Sequence, residues 1–338
     1  MKGQPSIKNY PLWIGVLLGA FLLLIAIVGP RLAPYDPMEV FNDVLFIGDE
    51  MYIPTRRPVP PLALEAFTLG TDAVGRDLYS RLLWAVRPTL LLCVIIASMR
   101  IILGVVLGLT AGWYGGPVGR FIEVIIDLCR AIPILLFALA VLSFFGHEDL
   151  TAFILALVTT GWAGTAIFVR QSTAIIKKEP YILGAHAIGV RPLGILGRYI
   201  LPQLWPALPA LIAFEIAAAL LVVAELGFLG MFIGEAFVIL IEAPDSAGTL
   251  PVGTTATYPE LAQMVSDFWR KMIQTPWEVA IVGSAIFLTI FTFNMLGEGL
   301  RRHMDITRPR KPSRQWRMLK EPPAVVEQRT PAGAGNTG

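Results

Sequence analysis

Long apolar runs dominate the pattern of hydrophobic and polar positions along this chain. A helix crossing the hydrocarbon core of a bilayer needs about 20 mostly apolar residues. Six stretches meet that requirement. They run from Pro11 to Val28, Thr89 to Trp113, Phe121 to Phe145, Thr151 to Val169, Leu204 to Leu229 and Trp277 to Leu296. Charges enter them sparingly: Arg100 interrupts the second, and Glu123, Asp127 and Arg130 sit in the first half of the third. Glu215 and Glu225 lie in the fifth, and Glu278 starts the sixth. The pattern predicts an all-α membrane protein with six transmembrane helices. The first run reads as a retained anchor and not a cleaved signal. Its apolar core is too long for a signal peptide, and Gly29-Pro30-Arg31 is a poor cleavage site.

Composition strengthens this reading. Of 338 residues, 55% are hydrophobic and only 15% charged, with a mean hydropathy of +0.66. A soluble globule has no interior large enough for so much apolar surface, which excludes a soluble enzyme, a disordered chain and a nucleic-acid binder. The net charge of +2 points to no acidic partner. Cys93 and Cys129 sit in apolar runs, and His147, His186 and His303 are far apart. Neither set has disulfide or metal-ligand spacing. The chain lacks a G-x-x-x-x-G-K-[ST] loop, an H-E-x-x-H helix and a nucleophile triad. No catalytic residue, cofactor or metal is expected, and the chain is not read as an enzyme.

Lysine and arginine in the connecting segments set the orientation. The loop between the fourth and fifth spans carries Arg170, Lys177, Lys178, Arg191 and Arg198, and a basic cluster from Arg301 to Lys320 follows the sixth. The loop between the third and fourth has no Lys or Arg. Both termini are therefore expected in the cytoplasm of a bacterial or archaeal cell, in its inner membrane. The long segments at about 30–87 and 230–276 then lie outside. The chain divides into an anchor helix (1–30), an external segment with an interfacial helix (31–87), a core of five helices (88–300) and a basic, disordered tail (301–338) that meets lipid heads.

The cytoplasmic stretch from Gln171 to Pro202 is too structured for a simple loop. Tyr181 to Ile188 reads as a short helix ended by Gly189, and Leu193 to Leu201 as a second, stopped by Pro202. Gly189 can adopt a left-handed conformation and fold the two together. The result is a compact knob whose apolar residues need something to dock against.

Here the residues resemble a known pattern. Glu179-Pro180-Tyr181, Ala185, Ala187-Ile188-Gly189 and Leu201-Pro202 are similar to the "EAA" loop of inner-membrane permease subunits of binding-protein-dependent ABC importers. The chain departs from it at Leu183, Gly184 and Tyr199. Other segments resemble the peptide and nickel branch, in order along the chain: Leu69 to Leu82, Ala111 to Gly116, Ala131-Ile132-Pro133, Glu225 to Gly230, and Phe293 to Arg301 with Asp305. The pattern is nearest the "C" permeases of dipeptide and oligopeptide transporters. The resemblance implies a type I ABC importer permease-like fold with cytoplasmic coupling helices. It implies a heterodimer with a second permease, separate ATPase subunits docked on the knob, and an extracytoplasmic substrate-binding protein. Residues placed at the ATPase contact are Glu179, Tyr181, Gly184, Ala185, His186, Gly189, Leu201 and Pro202.

Two roles fit Arg100 and Glu215: lining the pathway, or forming a buried structural pair. Asn294 is a third pathway candidate, and with Glu225 it suits helix–helix hydrogen bonding. Asp127 and Arg130 read as a local pair near the cytoplasmic surface. Asp72 reads as the cap of a short interfacial helix ending at Val86. The segment from Glu235 to Tyr258 reads as an inserted outer loop, and Pro259 to Thr275 as an amphipathic helix with Leu261, Met264, Val265, Phe268, Trp269 and Met272 on one side. A secondary transporter or channel working without ATP is the alternative. It would call for internal repeats or ionisable relays across several spans.

Overall fold

The computed structural model describes residues 9–145, 150–232, 237–242, 249–255 and 258–304. The loop with His147 and the tail beyond residue 304 lie outside the described residues.

Helix α1 (Tyr10–Leu32) covers the first predicted span. A small hairpin of β1 (Leu45–Ile47) and β2 (Glu50–Tyr52) follows. Helix α2 (Leu78–Tyr114) has 37 residues, about 55 Å at 1.5 Å per residue. It absorbs both the second span and the expected interfacial helix, and Pro88 sits inside it. Its N-cap is Asp77, which accepts from the Ser80 amide at 2.8 Å. Asp72, expected as a cap, instead folds the turn before the helix: its Oδ1 accepts from the Val74 and Arg76 amides, each at 2.9 Å.

The third span is broken. Helices α3 (Gly116–Ala131) and α4 (Ile134–Phe145) meet at 94°. Pro133 is the cause, because the residue before a proline is driven out of the helical region, and Ile132 is extended at ψ 129°. The fourth span comprises α5 (Leu150–Gly161) and α6 (Ala163–Ile176), bent by 43°. The Thr159 and Thr160 hydroxyls donate to the Ala156 and Leu157 carbonyls just before this bend, and such back-bonding curves helices.

The knob holds α7 (Pro180–Ala187), α8 (Pro192–Ile195), a π turn at Leu196–Ile200 and α9 (Leu201–Leu204). A 3₁₀ turn at Trp205–Ala207 leads into α10 (Leu208–Phe228). Pro202 does not stop the second knob helix. Residues 192–228 form one continuous helical path, and the changes of pitch absorb Pro202, Pro206 and Pro209, which have no N–H to give.

Beyond α10, the expected outer loop contains an antiparallel hairpin of β3 (Phe237–Glu242) and β4 (Thr249–Thr255). The expected amphipathic helix is split into α11 (Leu261–Val265) and α12 (Phe268–Gln274) by Asp267, which is left-handed at φ 55°. Its apolar residues do not share a side: Leu261 and Met264 are buried, whereas Trp269 and Met272 are exposed. Helix α13 (Pro276–His303) completes the chain.

The spans assemble through small residues and apolar side chains. Gly104, Gly108 and Gly112 on α2 lie four residues apart and press against Thr165, Val169 and Thr173 of α6. This is the small-residue contact that lets membrane helices approach closely. Leu92, Cys93 and Ile96 of α2 share a core with Phe153 and Leu157 of α5 and Leu220 and Val223 of α10. Helix α1 runs along α13, with Gly299 against Leu12 and the Asn9 amide donating to the Gly299 carbonyl at 2.8 Å. The two ends of the described chain therefore lie side by side. The outward side of α1 (Trp13, Leu17, Phe21, Leu24) is exposed and apolar, as lipid contact requires.

A buried charged layer closes the end where α2 and α13 begin. The Arg76 guanidinium donates to Asp72 at 2.8 Å, and Arg81 lies 3.5 Å from the same carboxylate. Arg81 also donates to the Gln263 side-chain oxygen at 2.8 Å and to the Pro37 carbonyl at 3.0 Å. Lys271 pairs with Glu278 at 2.8 Å, and the Trp277 indole donates to the Thr71 carbonyl at 3.1 Å. Burial alone would raise the Asp72 carboxyl, but Arg76 and Arg81 outweigh it and hold its pKa at about 2.

Deeper in the bundle, Arg100 is buried. It donates to the Leu157 carbonyl at 2.8 Å and the Thr160 hydroxyl at 3.2 Å, and pairs with Glu215 at 3.6 Å. Glu215 also accepts from the Thr165 hydroxyl at 2.9 Å. Gly161 makes room, because a Cβ there would fall 2.2 Å from the guanidinium carbon. Arg100 and Glu215 thus together tie α2, α5, α6 and α10.

Two outcomes are expected. Asp72→Asn removes one partner of a buried pair and destabilises the detergent-purified protein by about 3–5 kcal/mol near neutral pH. Because the folded pKa is depressed, this contribution is full above 3.8 and lost as pH falls toward 2. The gap between wild type and variant in thermal unfolding should therefore narrow, by about 2 kcal/mol at most, as pH falls through that window; a gap independent of pH contradicts the assignment. Separately, a double-mutant cycle of Arg100→Met and Glu215→Gln should show a coupling of about 1 kcal/mol or more in unfolding, against additive behaviour if the pair is idle.

Candidate functional site

The knob is built from local rules. Pro180 occupies the first turn of α7, where a missing N–H costs nothing. At the other end, the Val190 amide donates to the Ala185 carbonyl and the Gly189 amide to the His186 carbonyl. Gly189 is left-handed at φ +80°. This is a Schellman motif, and a β-branched residue resists that conformation. The motif reverses the chain into α8.

The knob has two faces of different kind. Inward, Ile182 and Ala185 pack with Ile195, Leu196, Ile200 and Leu204 against Trp113 of α2 and Val169 of α6. Lys177 donates to the Trp113 carbonyl and sits 5.2 Å above its ring. The knob is therefore seated on the ends of α2 and α6. Outward, Tyr181, Leu183, Ile188 and Leu193 are exposed, Ile188 at 80% and Leu193 at 77%. Glu179, Gly184, His186, Gly189 and Pro202 lie on the exposed side, and Leu201 is half-buried. Tyr181 is held by the Gln203 amide at 2.6 Å. Of the knob residues singled out in sequence, Ala185 alone is buried, and it packs beneath the exposed side.

The pathway candidates separate. Arg100 and Glu215 meet in the network described above. Asn294 stands apart on α13, its amide donating to the Ile290 carbonyl at 3.1 Å. Asp127 and Arg130 correct the expectation of a local pair. Both are exposed, and neither has an ion-pair partner among the described residues. Sequence reasoning missed the ion pair between Arg170 of α6 and Glu123 of α3. It also missed the Thr160 and Thr165 hydroxyls that complete the Arg100 site. A signal for the Arg100 pairing was present, since Glu215 is an opposite charge well inside another predicted span.

Comparison with known proteins supplies the family. Residues 104–306 match the family described as "Binding-protein-dependent transport system inner membrane component". The dipeptide transport system permease protein DppC of Haemophilus influenzae is 29% identical over 302 residues, covering 88% of this chain and 91% of that one. The glutathione transport system permease protein GsiD of Pectobacterium atrosepticum is 29% identical, over 86% of each chain. The nickel transport system permease protein NikC of Escherichia coli is 26% identical, over 86% of this chain and 92% of that one. An inward-facing structure of the MetNI methionine ABC transporter aligns with a TM-score of 0.45 at 16% identity, over 64% of this chain and 92% of that one. With its bundle of apolar membrane helices and more than half its length matched by the family's profile, this chain is a multi-pass transport permease subunit and belongs to the family of binding-protein-dependent transport system inner membrane components.

Proposed function

We propose that this permease subunit serves an importer whose cargo is peptides, and that its knob is the surface on which a separate ATPase subunit docks. The observation that carries the reading is the two-faced knob. One side is locked onto α2 and α6, and the other presents Tyr181, Leu183, Ile188 and Leu193 to a partner. Force applied there reaches the bundle through Ile182, Ala185 and the Trp113 seat. In this reading Glu179, Tyr181, Gly184, His186, Gly189 and Pro202 form or shape the docking surface, and Ala185 and Leu201 support it from beneath.

The remaining partners follow from the same reading. Each amide left unsatisfied in hydrocarbon costs several kcal/mol, so a peptide needs a polar cavity, and one bundle of this size does not enclose it. A second, related permease completes the cavity as a heterodimer, and a binding protein outside delivers the cargo. The knob and both termini face the cytoplasm, and the charged layer around Asp72 faces outward. The anchor (1–30), outer segment (31–87), core (88–300) and basic tail (301–338) act as distinct parts. Arg100 holds α2 to α5 and α10, while Glu215 and Asn294 are the better placed of the three for the pathway. The names of the relatives, which cover dipeptide, glutathione and nickel transport, support a small-solute importer, and the peptide branch is the reading taken here.

The test is co-purification from a mild-detergent extract with the neighbouring subunits present. A second six-span permease and at least one ATPase are expected to come with the tagged chain; its isolation alone across several detergents overturns the reading. Within the assembled complex, Gly189→Val forces a β-branched residue into the left-handed region at about 1–2 kcal/mol, enough for roughly tenfold slower ATP-driven uptake. Membrane insertion should be unchanged, and Gly189→Asn, which tolerates that conformation, should retain transport. Normal uptake by Gly189→Val would rule out the docking role.

A further inference from the structure

Helix α3 carries three faces. Gly119, Ile122 and Ile126 are buried and pack toward Ala111 of α2, Trp162 at the start of α6, and Ala163 and Ala166 of α6. Val118, Phe121, Val124 and Leu128 form an exposed apolar face. Arg120, Glu123, Asp127 and Arg130 follow a helical repeat of three and four between these two. Glu123 is paired with Arg170, whereas Arg120, Asp127 and Arg130 are exposed and have no ion-pair partner among the described residues.

Depth decides what this charged face meets. Gly119 lies against the Ala111 carbonyl, near the knob end of α2. Cys129 shares a cluster with Leu103. Helix α3 therefore climbs alongside α2 for about 18 Å from Gly119 to its end. Its last turn is level with the middle of the apolar stretch that runs from Thr89 to Trp113. A charge facing lipid at that depth costs about 2.5–3.5 kcal/mol. The apolar face suits lipid; the charged face does not. At its knob end, the charged face opens into a cleft of about 440 Å³ lined by Gly112, Gly115, Arg120, Glu123, Arg170 and Gln171. The polar surface is thus continuous from mid-depth to the end of the bundle.

We infer that the Arg120–Glu123–Asp127–Arg130 face of α3 lines the water-filled, knob-side half of the translocation path, with Asp127 and Arg130 as the opposite charges met by a solute that carries both an ammonium and a carboxylate. This rests on the importer reading. The two charges are one helical turn apart, so a zwitterionic peptide meets compensating groups at the height where hydrocarbon would exclude it. Neither group is neutralised by a neighbour among the described residues, which leaves both available to a solute. The sharp turn at Pro133 ends the charged face at mid-depth.

The test uses single cysteines at Asp127, Arg130, Val124 and Leu128 in a Cys129→Ala background; Cys93 is fully buried and stays. Membrane vesicles containing the neighbouring subunits are treated with membrane-impermeant methanethiosulfonates, one cationic and one anionic. Asp127→Cys and Arg130→Cys should react about tenfold faster than Val124→Cys and Leu128→Cys, because only the former face water. The cationic-to-anionic rate ratio should be higher at Arg130→Cys, where Asp127 remains, than at Asp127→Cys, where Arg130 remains, by about threefold at low salt. Unreactive cysteines at 127 and 130, or equal rates on both faces, overturn the lining role, and an unchanged ratio overturns the charge assignment. Co-purification on the same membranes reports on the importer reading separately, so its failure is distinguishable from failure of this one.

Discussion

Hydrocarbon offers no partner to a polar group, and the architecture of this chain follows from that constraint. Arg100 cannot be left alone in the middle of α2, so the bundle supplies a carbonyl and a hydroxyl from α5 and a carboxylate from α10. Satisfying the cation requires Gly161 beside it, since any side chain there would occupy the guanidinium's place. The bend between α5 and α6 lies at the same point. A single charge thereby fixes which helices are neighbours and where one of them turns.

The two ends of the bundle answer the same constraint differently. At the end bearing Asp72, charges are buried and paired within the chain: Arg81 binds the entry of α2 to the segment before α13, and Lys271 ties that segment to α13. That end is a closed, cross-braced layer. At the knob end, apolar residues are left on the surface while the base of the knob is cemented to α2 and α6. Under the proposed docking, a partner on the knob would move a bundle that is braced at its far end. The proposed charged face of α3 runs between mid-depth and the adhesive end.

Much of this was legible in sequence. The six apolar runs fall on four long helices and two bent helix pairs, although α2 begins well before its run and α6 and α13 extend well beyond theirs, and the Gly189 turn and the family followed from short patterns in order. The breaks were less legible. Pro133 bends the third span sharply, yet Pro88 is carried inside an unbroken 37-residue α2, and Pro202 is absorbed by a π turn. A proline's effect depends on whether neighbouring turns can re-satisfy the freed carbonyl, and that is decided by packing. Asp72 and Asp77 are both plausible caps by residue type; Arg76 and Arg81, reached through the fold, claim the first. Asp127 and Arg130 had the spacing of a helix pair but point to the surface without one. Spacing permits a pair; geometry forms it. The Glu123–Arg170 link joins two elements that only the fold brings together.

The most direct test of the account is proximity at the knob. Ile188→Cys and Leu193→Cys, both on the exposed face, are combined with a short homobifunctional thiol cross-linker in membranes holding the neighbouring subunits. Ala185→Cys, buried beneath them, serves as the control. The account predicts a cross-link from positions 188 and 193 to an ATPase subunit, altered by ATP, and none from 185. Transport that continues while neither exposed position ever joins an ATPase would contradict it.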